Sequence, residues 1–135
     1  MRKQSPKLFA ALLMVFLSGC AMRGEQPANK TELSYTIVKE EEIPDKLKKM
    51  IEEKKEMEFK LTFEDESGFY MAHGYGEQET GGYSIAVREV SMTEQALYFD
   101  TELLGPGGGT NPQKKPSYPY IVVKTTRRNQ NVVFE

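Results

Sequence analysis

The chain has 135 residues, with 18 Lys and Arg against 20 Asp and Glu, one cysteine, one histidine and no tryptophan. A net charge of −2, with no basic run longer than Arg127-Arg128, argues against a nucleic-acid binder, which works by neutralising phosphates, and against polybasic attachment to anionic lipid. A lone cysteine excludes a disulfide framework, and a lone histidine can give zinc only one imidazole ligand.

At the N-terminus Arg2, Lys3 and Lys7 precede the apolar run Leu8 to Leu17, which ends in Leu17-Ser18-Gly19-Cys20. That run is about half of the ~20 apolar residues needed to cross a bilayer, so residues 1–19 read as an export signal. The small residues Ser18 and Gly19 followed by a thiol fit a lipoprotein signal, in which the Cys20 sulfur takes the diacylglycerol before cleavage. Removing residues 1–19 takes Arg2, Lys3 and Lys7 from the 18 basic residues, leaving 15 against 20 acidic ones and a net charge of −5. Residues 20–32 are polar, carry Pro27 and show no periodicity, which predicts a lipidated flexible tether. Residues 33–135 form a single domain of ordinary size. The expected location is therefore a bacterial membrane, anchored through lipid on Cys20 and exposed outside the cytoplasm.

Leu33 to Val38 alternates and predicts a strand. Glu41-Glu42-Ile43-Pro44-Asp45 places proline at the start of a helix with acidic residues at its positive end. Ile43, Leu47, Met50 and Ile51 then share one face, predicting an amphipathic helix over Ile43–Lys55. From Phe59 the period becomes two: Phe59, Leu61 and Phe63 lie on one side, Glu64 to Gly68 turns, and Phe69 to Tyr75 returns as a hairpin partner. Gly82 to Met92 and Gln95 to Leu104 predict a second hairpin, Tyr118 to Lys124 a further strand, and Asn131 to Glu135 an edge strand or a frayed end. The stretch Leu104 to Pro119 holds four glycines and four prolines, and is long for a connection in a small domain. Together these predict an α+β fold: a mostly antiparallel sheet of five to six strands with one amphipathic helix packed on it. An immunoglobulin-like β-sandwich is the alternative.

The chemistry-bearing motifs are sparse. Gly74-Tyr75-Gly76 is followed by neither a helix nor Gly-Lys-Ser/Thr, so no phosphate loop is expected. A triad would need His73 with a serine such as Ser84 or Ser91, but one histidine on a strand is usually a packing or surface residue. Glu64-Asp65-Glu66 lacks the spaced oxygens and glycine of a calcium loop. No catalytic residue, metal or cofactor is expected, and the oligomeric state is left open. Two segments stand out as contact surfaces: Gly76-Glu77-Gln78-Glu79-Thr80-Gly81-Gly82-Tyr83, whose paired glycines can take φ > 0 and present backbone, and Pro116-Ser117-Tyr118-Pro119-Tyr120.

The run from Tyr75 to Lys124, with Gly-Glu-Gln-Glu-Thr-Gly-Gly-Tyr-Ser-Ile near its start and Tyr-Pro-Tyr-Ile-Val-Val-Lys at its end, resembles the C-terminal domain of the PrcB family, which is named for a lipoprotein subunit of a surface protease complex. The resemblance implies a non-catalytic accessory or stabilising subunit that binds a surface or secreted protease. It makes Gln78, Thr80, Gly81, Gly82, Tyr83, Tyr118, Pro119 and Tyr120 the candidate partner-binding residues, with Tyr83, Tyr118 and Tyr120 as anchors. The insertion Gly105 to Gly109 departs from that pattern. Thr80-Gly81-Gly82-Tyr83, Gly105 to Gly109 and Tyr118-Pro119-Tyr120 also resemble, in order, the three loops of chagasin-like inhibitors of cysteine peptidases. The alternatives to an accessory subunit are thus such an inhibitor or a structural cell-envelope lipoprotein without a protease link.

Overall fold

A computed structural model describes residues 29–126 and 129–135. The proposed signal, Cys20 and most of the proposed tether lie outside the described residues. The elements in chain order are β1 (Thr31–Glu32), β2 (Thr36–Ile37), α1 (Asp45–Lys54), β3 (Glu58–Asp65), β4 (Gly68–Tyr75), β5 (Ser84–Met92), β6 (Ala96–Leu104), β7 (Tyr120–Thr125) and β8 (Asn131–Phe134), with a 3-10 turn over Glu40–Glu42 before the helix.

The predicted single sheet of five to six strands is two sheets of four. One has the order β1-β5-β6-β8 and the other β2-β7-β4-β3. The α+β class and the antiparallel hairpins β3–β4 and β5–β6 agree with expectation, but each hairpin belongs to a different sheet. The physical reason lies in β4, which is buried on both faces along most of its length. Phe69 and Met71 point into a core shared with Val90, Leu97 and Phe99 of the other sheet, while Tyr70 and Ala72 point the opposite way, onto Ile43, Leu47 and Ile51. Strand β7 divides likewise, with Ile121 and Val123 inward and Val122 toward the helix. The result is three layers, sheet on sheet on helix, so the packed helix and the face-to-face sheets coexist. Full burial of side chains such as Phe99, Leu97, Met71, Leu47 and Ile51 is worth about 1.5–3 kcal/mol each against exposure.

Three local expectations change. Leu33 to Val38 is not one strand: β1 pairs with β5 and β2 with β7, and the chain between them crosses from sheet to sheet, with Leu33 buried in the shared core. The first strand among the described residues thus begins at Thr31, inside the stretch read as tether. Pro44 is the residue before the helix, with extended backbone and its carbonyl accepting from Lys48 N at 2.9 Å. The terminal residues form β8, which runs parallel to β6 and completes the first sheet.

Strand registers fix which ends meet. Tyr75, Ser84, Leu104 and Tyr120 lie at one pole; Gly68, Met92, Ala96, Thr125 and the entering residues Asn29–Thr31 lie at the other. Strands of eight and nine residues at about 3.3 Å per residue hold the poles roughly 25–30 Å apart.

Candidate functional site

The two segments singled out in the sequence are the connections β4–β5 and β6–β7, and both lie at the pole opposite the entering chain. They form one surface because the β4–β7 ladder continues past the strand ends. Tyr75 N donates to Pro119 O at 3.0 Å, and Gln78 and Ser117 exchange two main-chain hydrogen bonds of 2.8 and 3.0 Å. Ser117 Oγ donates to Thr80 O at 2.7 Å and Gly81 N to Gln113 O at 3.3 Å. Gln78 Nε2 reaches back to Tyr75 O at 3.1 Å. Gly82 has φ of +88°, and a Cβ there would lie 3.2 Å from Pro106. Glycine is therefore demanded both by the left-handed backbone and by the neighbouring loop.

Gln78, Thr80, Gly81, Gly82, Tyr83, Tyr118 and Pro119 are thus gathered at this pole. Tyr83 is half-buried, its ring edge beside Gly105. Tyr118 is half-buried under the Lys55 ammonium, 5.2 Å from the ring centroid, and its hydroxyl donates to Glu77 Oε1 at a long 3.5 Å. Desolvation, then the Glu77 and Glu56 carboxylates, push the Tyr118 hydroxyl above its ordinary value. Tyr120 is not brought to this surface. As the first residue of β7 it faces the helix layer, its ring 6.4 Å from that of Phe59, and burial first, then Glu40 and Glu52, raise its hydroxyl. Gly105 to Gly109 and Tyr118-Pro119 belong to a single connection, so the three inhibitor-like motifs occupy two loops, with the third motif's Tyr120 turned away.

Beneath the loops lies a polar cluster that the sequence did not reveal. His73, 3% exposed, contacts Thr101 Oγ1 through Nδ1 at 2.9 Å and Glu58 Oε2 through Nε2 at 3.1 Å. Tyr75 stacks on the imidazole at 4.3 Å, and its hydroxyl lies 2.5 Å from the same Thr101 oxygen. A carboxylate only accepts, so Nε2 donates to Glu58, and the Thr101 hydroxyl links Nδ1 to the Tyr75 hydroxyl. Acid, imidazole and hydroxyl stand in the order of a triad. Yet Thr101 is buried, and its hydroxyl is already engaged by both His73 and Tyr75, an arrangement unlike the open nucleophile of a working triad. Ser84 and Ser91 are not partners of His73; the Ser91 hydroxyl donates to Glu89 at 2.5 Å. The cluster satisfies buried polar groups and braces the floor under the loops. Its signal is invisible locally, because Thr101 lies 28 positions from His73.

Among the described residues no group of three or more His, Cys, Asp or Glu could hold a metal, and no helix is long and apolar enough to cross a membrane. Residues 69–126 match the model of the family described as PrcB C-terminal. No curated protein and no solved structure matches the chain. The match runs from the second residue of β4 to just past the end of β7 and contains both loops. The segment of this chain that builds the loop surface is thus similar to the PrcB C-terminal family.

Proposed function

We propose that the protein is a lipoprotein, acylated on Cys20 and held at the outer face of a bacterial membrane, that serves as a non-catalytic accessory subunit of a protease complex and contacts the protease through the loops 76–83 and 105–119. The observation that supports this reading most is the position of the family match: it covers the segment carrying both loops, at the pole away from the entering chain. An anchor upstream of Asn29 leaves that pole facing outward. Tethering confines protein and partner to one surface, so the effective concentration is high and modest intrinsic affinity suffices. Tyr83 and Tyr118, each half-buried with an accessible edge, are the anchors of that contact. Tyr120 serves the fold and is a poor probe of binding.

Two measurements test the reading. Cys20→Ala is expected to move the protein out of the membrane fraction; unchanged fractionation rejects the lipid anchor. The acylated full chain, gently crosslinked in its native membrane, is expected to recover a protease that a Tyr83→Ala, Tyr118→Ala double variant of unchanged melting temperature does not. Recovery of cell-wall components and no protease from either protein would support a structural envelope lipoprotein instead.

A further inference from the structure

The loop surface continues into an unpaired strand edge. Strand β5 has nine residues, but β1 pairs with it only at Ser91 and Met92, and Val90 O accepts from Leu33 N at 2.9 Å before the chain leaves for the other sheet. Among the described residues nothing pairs with the outer edge of β5 from Ser84 to Arg88. Such a row of main-chain donors and acceptors is a template for an added strand. Short β1 already docks on the same edge in antiparallel sense. Ile85 and Val87 on the inner face are only half-buried at the rim of the core, so the edge lacks apolar cover.

Chemistry at the far end of this row narrows the occupant. Where β1 turns away, a cleft of about 520 Å³ opens beside the strand, lined by Glu32, Leu33, Tyr35, Arg88, Glu89 and Asp100 among others. Arg88 is engaged by Glu102, and Glu89 by Lys30 and Ser91. Glu32 and Asp100 have no ion-pair partner among the described residues. The cleft is therefore short of positive charge. A second copy of this chain pairing through the same edge would bring Ser84 to Arg88, whose one cation is already engaged by Glu102. An extended segment of another protein carries no such restriction.

We propose that the β5 edge from Ser84 to Arg88 receives an extended peptide segment of the bound protein, added as a strand, with apolar residues beside Ile85 and Val87 and a basic side chain in the cleft near Glu32 and Asp100. This rests on the reading that the adjoining loops bind a protein partner. The loops then supply contact area, while the strand supplies direction and register.

The full chain in detergent micelles is panned against a displayed library of short random peptides, and the enriched peptides are synthesised and followed by amide hydrogen exchange. Enriched peptides are expected to alternate apolar residues, to carry Lys or Arg at one fixed position, and to slow exchange of the amides from Ser84 to Arg88. In a Glu32→Gln, Asp100→Asn double variant, affinity is expected to fall about two- to fivefold, the scale of exposed ion pairs, with melting temperature unchanged. Peptides without a basic position that protect only residues 77–82 and 107–118 would overturn the edge assignment and leave the loop reading intact. Self-association of the chain with protection of Ser84 to Arg88 and no enriched peptide would overturn it in favour of a second copy. Edge protection by basic peptides, with no protease recovered in the crosslinking experiment, would sustain the strand site and remove the protease reading.

Discussion

Gly74→Ala tests whether β4 is held as tightly between layers as the structure requires. Gly74 has Phe59 as its partner on one side and Tyr120 on the other. Its φ is not positive, so the backbone accepts alanine without strain. An added Cβ, however, would lie 2.1 Å from Phe59 Cε2, 2.5 Å from Cδ2 and 2.6 Å from Cζ. Carbon atoms rest at about 3.5–4.0 Å, so the ring must retreat by more than ~1 Å, and Phe59 is 7% exposed in the helix cluster. Losing a glycine from the unfolded chain contributes about 0.4–1 kcal/mol of stability, against a cost of about 1–3 kcal/mol for overpacking. The expected net loss is about 1–2 kcal/mol, and for a domain near 100 residues each kcal/mol lowers the melting temperature by about 4–8 °C. Urea titration followed by circular dichroism should show a lower midpoint at constant slope. Phe59→Leu in the same chain should relieve the crowding, giving a coupling of about 0.5–3 kcal/mol. An unchanged or higher melting temperature, or strict additivity with Phe59→Leu, would refute the close approach.

Other outcomes follow from the same layers. Leu47→Ala and Ile51→Ala, both at sites with no exposure, should each cost about 2–5 kcal/mol in a urea titration, whereas exposed Met57→Ala should be nearly silent. Thr101→Val keeps the volume but removes the hydrogen-bond partner of both His73 Nδ1 and the Tyr75 hydroxyl, so a loss of about 1–3 kcal/mol is expected in the same assay. For Glu89 the Ser91 hydrogen bond, opposed by desolvation and aided by Lys30, holds the carboxyl below its ordinary value. With the folded value the lower one, the stabilisation is present above the ordinary carboxylate range and is lost as pH falls through the folded value. Melting temperatures measured down through the acid range should therefore fall more for the wild type than for Ser91→Ala, and parallel curves would reject the assignment.

How much of this was legible depended on the range of each signal. The helix and both hairpins were readable because their apolar spacing is local: Leu47 and Ile51 one turn apart, Phe59, Leu61 and Phe63 two apart. The unbroken apolar run Phe69-Tyr70-Met71-Ala72 did carry the mark of burial on both faces. Read as one arm of a single sheet, it left no room for a second sheet opposite the helix. Strands as short as Thr31–Glu32 and Thr36–Ile37 have no periodicity to detect, since their pairing is set by Leu33 entering the core. At the candidate site, the glycines and tyrosines marked both loops. Their union depends on Gln78 meeting Ser117, and Tyr120 fell on the helix side because strand alternation, not its place in a tyrosine-rich motif, decides where a side chain points.

The brevity of β1 also has a mechanical meaning. A pull on the chain at Asn29, directed away from the body, acts first on two residue pairs, Thr31 with Met92 and Glu32 with Ser91, and then on Leu33 seated between the sheets. Neither β4 nor β7 bears that load, since neither pairs with β1. The weakest link under tension is thus the first few residues of the fold. Its failure draws Leu33 out of the core and frees more chain beyond Asn29 while the loop pole, built on the opposite strand ends, stays whole.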